Sequence, residues 1–121
     1  MREILFRGKS TDTGKWVEGD LSRLPTGARY IGNYRSAYAV DPETVGQFTG
    51  LYDKNGKRIF EGDIVKYGDT YAVIEYDVEC YDGYVVYGFA MCTKYGFVTS
   101  YDFEGANVIG NIHDNPELLE E

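Results

Sequence analysis

The stretch Tyr71-Ala72-Val73-Ile74-Glu75-Tyr76-Asp77-Val78-Glu79-Cys80 decides the fold class. Ala72, Ile74, Tyr76, Val78 and Cys80 share one phase, and Tyr71, Val73, Glu75, Asp77 and Glu79 share the other. A period of two is a β-strand with one buried face. Asp82-Gly83 follows, a pair suited to a two-residue hairpin loop. Such a loop sets Tyr81 opposite Tyr84 and Cys80 opposite Val85. The return strand, Tyr84 to Cys92, is apolar on both faces, so it is expected to be central or covered by another surface.

The same pattern extends in both directions. Twelve Tyr, six Phe and fifteen Gly against three Pro favour strands joined by glycine turns. No window before the C-terminal tail keeps a helical stripe. Arg2–Arg7, Trp16–Leu21, Tyr30-Ile31, Tyr38–Val40, Val45–Leu51, Arg58–Phe60, Ile64–Tyr67, Phe97–Ser100 and Asn107–Ile112 read as further strands. Ser22–Arg29 reads as a loop. Asp41 can cap a single helical turn with Pro42 at its first position. Asn55-Gly56 suits a type I′ hairpin, and Glu61-Gly62-Asp63 a tight turn or bulge. Asn115 can cap a short helix over Pro116–Glu121. The run from Asp12 to Leu21 echoes that from Asp53 to Ile64, each reading turn, Gly-Lys, an apolar pair, then Glu-Gly-Asp and an aliphatic. Two hairpins of similar shape would explain the echo, and so would a coincidence of common turn residues, since two copies are too few for a repeat architecture.

The expected fold is therefore mainly β. A β section over residues 1–43 leads into an SH3-like small barrel over 44–112, followed by a tail with a short helical turn over 113–121, all in one globular unit.

Composition excludes several functions. The 121 residues hold 20 Asp/Glu and 12 Lys/Arg, for a net charge of -8. Residues 1–60 hold ten Lys/Arg and seven Asp/Glu (+3), and residues 61–121 hold two and thirteen (-11). A surface so acidic is a poor partner for phosphate, so direct nucleic-acid binding is not expected. No apolar run approaches the length of a membrane span, and Arg7 interrupts the short apolar start. The expected location is cytoplasmic.

Little in the sequence is suited to catalysis. Cys80 and Cys92 are too few for a disulfide scaffold and read as buried thiols. His113, the single histidine, lies in a polar tail and is not read as catalytic. Asp53-x-Asn55-Gly56 mimics a calcium loop, but its glycine comes fourth rather than sixth. Glu75, Asp77 and Glu79 share one strand face. They could hold a hard cation for a metal-dependent hydrolase, but a solvated acidic face explains them as well. No catalytic, cofactor or metal residues are assigned.

Three segments carry a resemblance. Val45-Gly46-Gln47-Phe48-Thr49-Gly50-Leu51-Tyr52-Asp53-Lys54-Asn55-Gly56-Lys57-Arg58-Ile59-Phe60-Glu61-Gly62-Asp63-Ile64-Val65 resembles the signature of the YopX-like family of phage and prophage proteins. Met1–Arg7 resembles that family's opening, and Val108-Ile109-Gly110-Asn111-Ile112-His113-Asp114-Asn115-Pro116-Glu117-Leu118 its closing motif. The resemblance implies a small, mostly β protein of a phage or prophage in a bacterial host, and it supplies no catalytic residues.

The expected function is that of a non-enzymatic phage accessory protein. It acts through protein contacts, as a homo-oligomer or with a host or phage protein. The alternative is an acidic inhibitor, imitating DNA, of a host nucleic-acid-binding protein.

Overall fold

The structure, a computed structural model, describes residues 4–32, 35–68, 70–79, 85–93, 96–98 and 105–119. The described chain is built of antiparallel strands, with single 3₁₀ turns at Pro42–Thr44 and Pro116–Leu119. It divides into two units, Met1–Phe48 and Thr49–Glu121.

The first unit is a meander. Strands β1 (Phe6–Lys9), β2 (Trp16–Arg23), β3 (Arg29–Gly32) and β4 (Ala37–Val40) each pair with the next. On its other side β1 pairs with the start of β5 (Gly46–Tyr52), through Phe6↔Gln47 and Arg7↔Gly46. The meander then curls back on itself. Ser10 and Val40 form a bridge, flanked by Thr11 N–H to Ala39 O at 3.0 Å and Asp41 N–H to Lys9 O at 2.9 Å. The end of β4 thus meets the end of β1, and the ring encloses buried Ile31 and Val40. A Cβ built on Gly8 would stand 3.1 Å from both side chains. Glycine is therefore what fits inside this ring.

The 3₁₀ turn locks the closure. Asp41 Oδ1 accepts from Glu43 N–H, as expected of a cap, and Pro42 stands at the first position. Thr44 Oγ1 donates to Asp41 O at 2.7 Å and accepts from Lys9 N–H at 2.9 Å.

The second unit holds the end of β5 beside β6 (Arg58–Phe60) and a five-stranded sheet. That sheet runs in the order β10 (Gly96–Val98), β9 (Val85–Thr93), β8 (Thr70–Glu79), β7 (Asp63–Tyr67), β11 (Asn107–Asn111). It buries Ile59, Val65, Ala72, Ile74, Ala106 and Val108 as one core. Alternation along β8 is as the sequence implies: Ala72 and Ile74 are buried, while Tyr71 is exposed.

Two expectations are corrected here. The SH3-like barrel over 44–112 does not close among the described strands, because β10 and β11 are the two edges of an open sheet. Strands β8 and β9, of ten and nine residues, pair mainly with each other and outrun the five-residue β7 and three-residue β10. The hairpin register also changes. Val73↔Cys92 through Tyr76↔Phe89 follow the register that an Asp82-Gly83 loop sets, but Val78 faces Val86 and Glu79 faces Val85. Val85 therefore lies opposite Glu79, not Cys80. A bulge accounts for the slip, with Tyr87 and Gly88 standing on β9 where Asp77 stands alone on β8. Residues 80–84 themselves lie outside the described residues.

Replacing Gly8 by valine overpacks the first unit against Ile31 and Val40. The expected cost is about 1–3 kcal/mol, read as a lower Tm by circular dichroism. An unchanged Tm would show that the ring has room to spare.

Candidate functional site

The segments quoted from the middle and the end of the sequence come together in the second unit, and their polar residues hold the contact. Asp53, 6% exposed, sits at the head of the β5–β6 loop. Its Oδ1 accepts from Asn55 N–H at 2.8 Å and Lys57 N–H at 2.9 Å. Its Oδ2 accepts from Val108 N–H at 2.9 Å, 55 residues away in sequence. Lys54 N–H donates to Ala106 O at 3.0 Å, and Asn55 Nδ2 to Asn107 Oδ1 at 2.7 Å. One carboxylate thus shapes its own loop and fastens β11 to it.

The loop is not the expected type I′ turn. Gly56 N–H donates to Asp53 O, and Asp53 N–H to Lys57 O, which encloses three loop residues with Gly56 at φ +80°. That is a type I turn closed by a left-handed glycine. The wider loop follows from the Asp53 carboxylate, which takes two N–H groups inside it. The β2–β3 loop repeats the pattern: Gly27 N–H donates to Leu24 O, Leu24 N–H to Ala28 O, and Gly27 has φ +94°. The β1–β2 loop is one residue longer, with Ser10 Oγ accepting from Asp12 and Thr13 N–H and Gly14 at φ +72°. The sequence echo is thus an echo of turn chemistry. It ends at Glu-Gly-Asp, because β2 runs straight through Gly19 whereas Gly62 makes a turn.

That second turn is the other fastening. Gly62, at φ +90°, donates its N–H to Ile74 O at 2.8 Å and accepts from Ile112 N–H at 2.9 Å. One backbone unit bonds to β8 and to the segment after β11. Asp63, 1% exposed, accepts from Phe60 N–H through Oδ2 at 2.8 Å. In the closing motif Asn111 Oδ1 accepts from His113 and Asp114 N–H, and Asn111 Nδ2 donates to Asp114 Oδ2. Asn115 turns its Oδ1 back to Asn111 N–H at 3.3 Å, and only its backbone O receives Leu118 N–H. Its side chain therefore does not cap the final turn. A Cβ on Gly110 would meet Asn115 Oδ1 at 2.6 Å, so glycine there leaves room for the returning carboxamide.

Of the candidate reactive residues the structure describes the side chains of His113 and Glu75. His113 is half-buried and held by Asn111. Glu75 is half-buried, while the side chains of Asp77 and Glu79, with Cys80 and the Cys92 thiol, lie outside the described residues. Among the described residues no three His, Cys, Asp or Glu side chains are grouped so as to hold a metal ion, and no helix is long and apolar enough to cross a membrane.

One grouping escaped the sequence reading. Lys9 pairs with Trp16 across β1–β2, which brings Arg7 Cζ 4.7 Å and Lys9 Nζ 5.7 Å from the Trp16 ring centre. Each is a cation–π contact, so both cations lie over the one indole ring. The register of the Ser10–Lys15 loop was the available signal.

An antiparallel β protein whose two signature motifs are spent on turn and strand fastening is the class that fold and site define. The chain belongs to the YopX family, since the family described as YopX protein matches residues 5–120. The crystal structure of protein EF1440 from Enterococcus faecalis is similar, at 27% identity and a TM-score of 0.53, covering 99% of this chain and 100% of that one. No curated protein matches the chain.

The Asp53 carboxyl titrates accordingly. Burial pushes it up, but the bonds from Val108, Lys57 and Asn55 and the nearby Lys57 charge outweigh burial and hold it below its ordinary value. On acidification the unfolded chain takes this proton first. The stability it contributes is therefore present above about pH 4 and is lost as pH falls through the lower folded value. Asp53→Asn leaves one buried N–H without an acceptor, which costs about 1–3 kcal/mol at neutral pH. The Tm difference between the wild type and this variant is expected to narrow below about pH 4. A difference that stays constant into acid would remove the carboxylate from this role.

Proposed function

We propose that this chain is a non-enzymatic accessory protein of a phage or prophage that acts in the host cytoplasm by protein contact, pairing with further copies of itself. One observation carries the reading. Strand β9, Val85–Thr93, carries apolar residues in both phases of its alternation, so each of its faces calls for cover, which a second copy can supply. The motif polar groups support the same reading, since the side-chain oxygens of Asp53 and Asn111 are each engaged by backbone N–H groups. Exposed Leu51, Tyr52 and Tyr71 add apolar and aromatic surface to the second unit.

Charge favours a second reading. Divided at the observed boundary, Met1–Phe48 holds seven Lys/Arg and six Asp/Glu (+1), and Thr49–Glu121 holds five and fourteen (-9). The first unit is thus close to neutral, which weakens attraction between unlike halves of two copies. The second unit is acidic enough to imitate a nucleic acid toward a basic host protein. That reading requires capture of nucleic-acid-binding host proteins that duplex DNA displaces.

Light scattering across protein concentration, at low and at molar salt, tests the first reading. The expected mass is a multiple of 13.7 kDa that survives salt, since apolar contact is little screened. A mass of one chain at every concentration would overturn it.

A further inference from the structure

Asn55 is the only asparagine of the sequence followed by glycine, and it lies exposed in the β5–β6 loop. Glycine after asparagine leaves the side-chain carbonyl open to attack by the next backbone nitrogen, because no Cβ hinders the approach. In that reaction the Gly56 nitrogen bonds to Asn55 Cγ and loses its proton, the Cγ–Nδ2 bond breaks, and ammonia leaves. Water then opens the cyclic imide to aspartate or its isomer. No oxidant or cofactor is needed.

Both reacting groups are held in this fold. The Gly56 N–H donates to Asp53 O at 3.0 Å, so the attacking nitrogen is engaged within the turn. Asn55 Nδ2 donates to Asn107 Oδ1 at 2.7 Å, which ties the leaving amide to β11. Asn55 N–H is bonded to Asp53 Oδ1 at 2.8 Å, fixing the backbone between them. Reaction requires the side chain to leave Asn107 and swing to Gly56. We propose that Asn55 is a self-modification site, and that the Asn107 carboxamide is the latch that keeps it unreacted while the loop is docked on β11. Once formed, a carboxylate at position 55 has no N–H to offer Asn107 Oδ1, and it adds a negative charge beside Asp53. Modification therefore loosens the loop that Asp53 fastens.

The test follows modification of the full-length chain in mildly alkaline buffer, by mass spectrometry of the peptide containing Asn55. The wild type, Asn107→Ala and Asn107→Asp are compared, folded and in urea. Asn107→Asp keeps a side-chain oxygen to accept from Asn55 Nδ2. In the folded state Asn107→Ala is expected to react about fivefold faster than the wild type, the equivalent of one net hydrogen bond, and Asn107→Asp at close to the wild-type rate. In urea all three are expected to react alike and faster. Circular dichroism establishes that each variant is folded in buffer. If Asn107→Ala does not fold, the comparison of folded with urea-unfolded wild type still decides, since equal rates there would overturn the proposal. Folded Asn107→Ala reacting at the wild-type rate would overturn it too.

Discussion

The second unit depends on a buried carboxylate that is satisfied by backbone. An unpaired charge at the position of Asp53 would cost far more than a domain of this size could bear. Three N–H donors remove that cost, and their positions dictate the architecture. Two lie in the β5–β6 loop and set its length. The third belongs to Val108, so the loop can satisfy its carboxylate only when β11 is in place. Local turn formation and long-range strand placement are in this way one event, and β11 with the residue before it completes the sheet core through Val108 and Ala106.

Gly62 does for the opposite end of β7 what Asp53 does for the loop. Its positive φ aims one N–H at β8 and one carbonyl at Ile112. A residue with a Cβ would pay about 1–2 kcal/mol for that conformation. The signature is rich in Asp, Asn and Gly for the same physical reason throughout. These residues supply acceptors and left-handed backbone where strands must turn. The family match spans nearly the whole chain, both motifs included.

The first unit reaches stability differently. Among its described residues no carboxylate is buried, and its closure rests on the Ser10–Val40 bridge and on Thr44, which is bonded to both strands' ends. Gly8 lets Ile31 and Val40 meet within a ring too narrow for another side chain. Arg7 and Lys9 lie on Trp16. Two of the ten cations in residues 1–60 are therefore structural, and the acidic excess belongs to the second unit.

Local features were legible in the residues themselves. Alternation in Tyr71–Glu75, the glycine turns and the Asp41-Pro42 cap depend on neighbours within a few positions, and the structure shows them as strand, loops and cap. The echo between Asp12–Leu21 and Asp53–Ile64 was also visible, because turn chemistry is written in adjacent residues. What depended on distant partners was not legible. Asp53 looked like part of a failed calcium loop, since its third donor lies 55 residues away. The bulge at Tyr87-Gly88 shifted a register that the hairpin loop alone would have set differently. Among the described strands the sheet is open where a barrel was expected, because closure depends on relative strand lengths and pairing, which periodicity does not encode. The sequence by itself determined that this protein is made of short antiparallel strands, for the period of a side chain is a local property. Only the tertiary structure decided which carboxylates are buried and what they hold, because that is fixed by which backbone N–H groups the fold brings within reach.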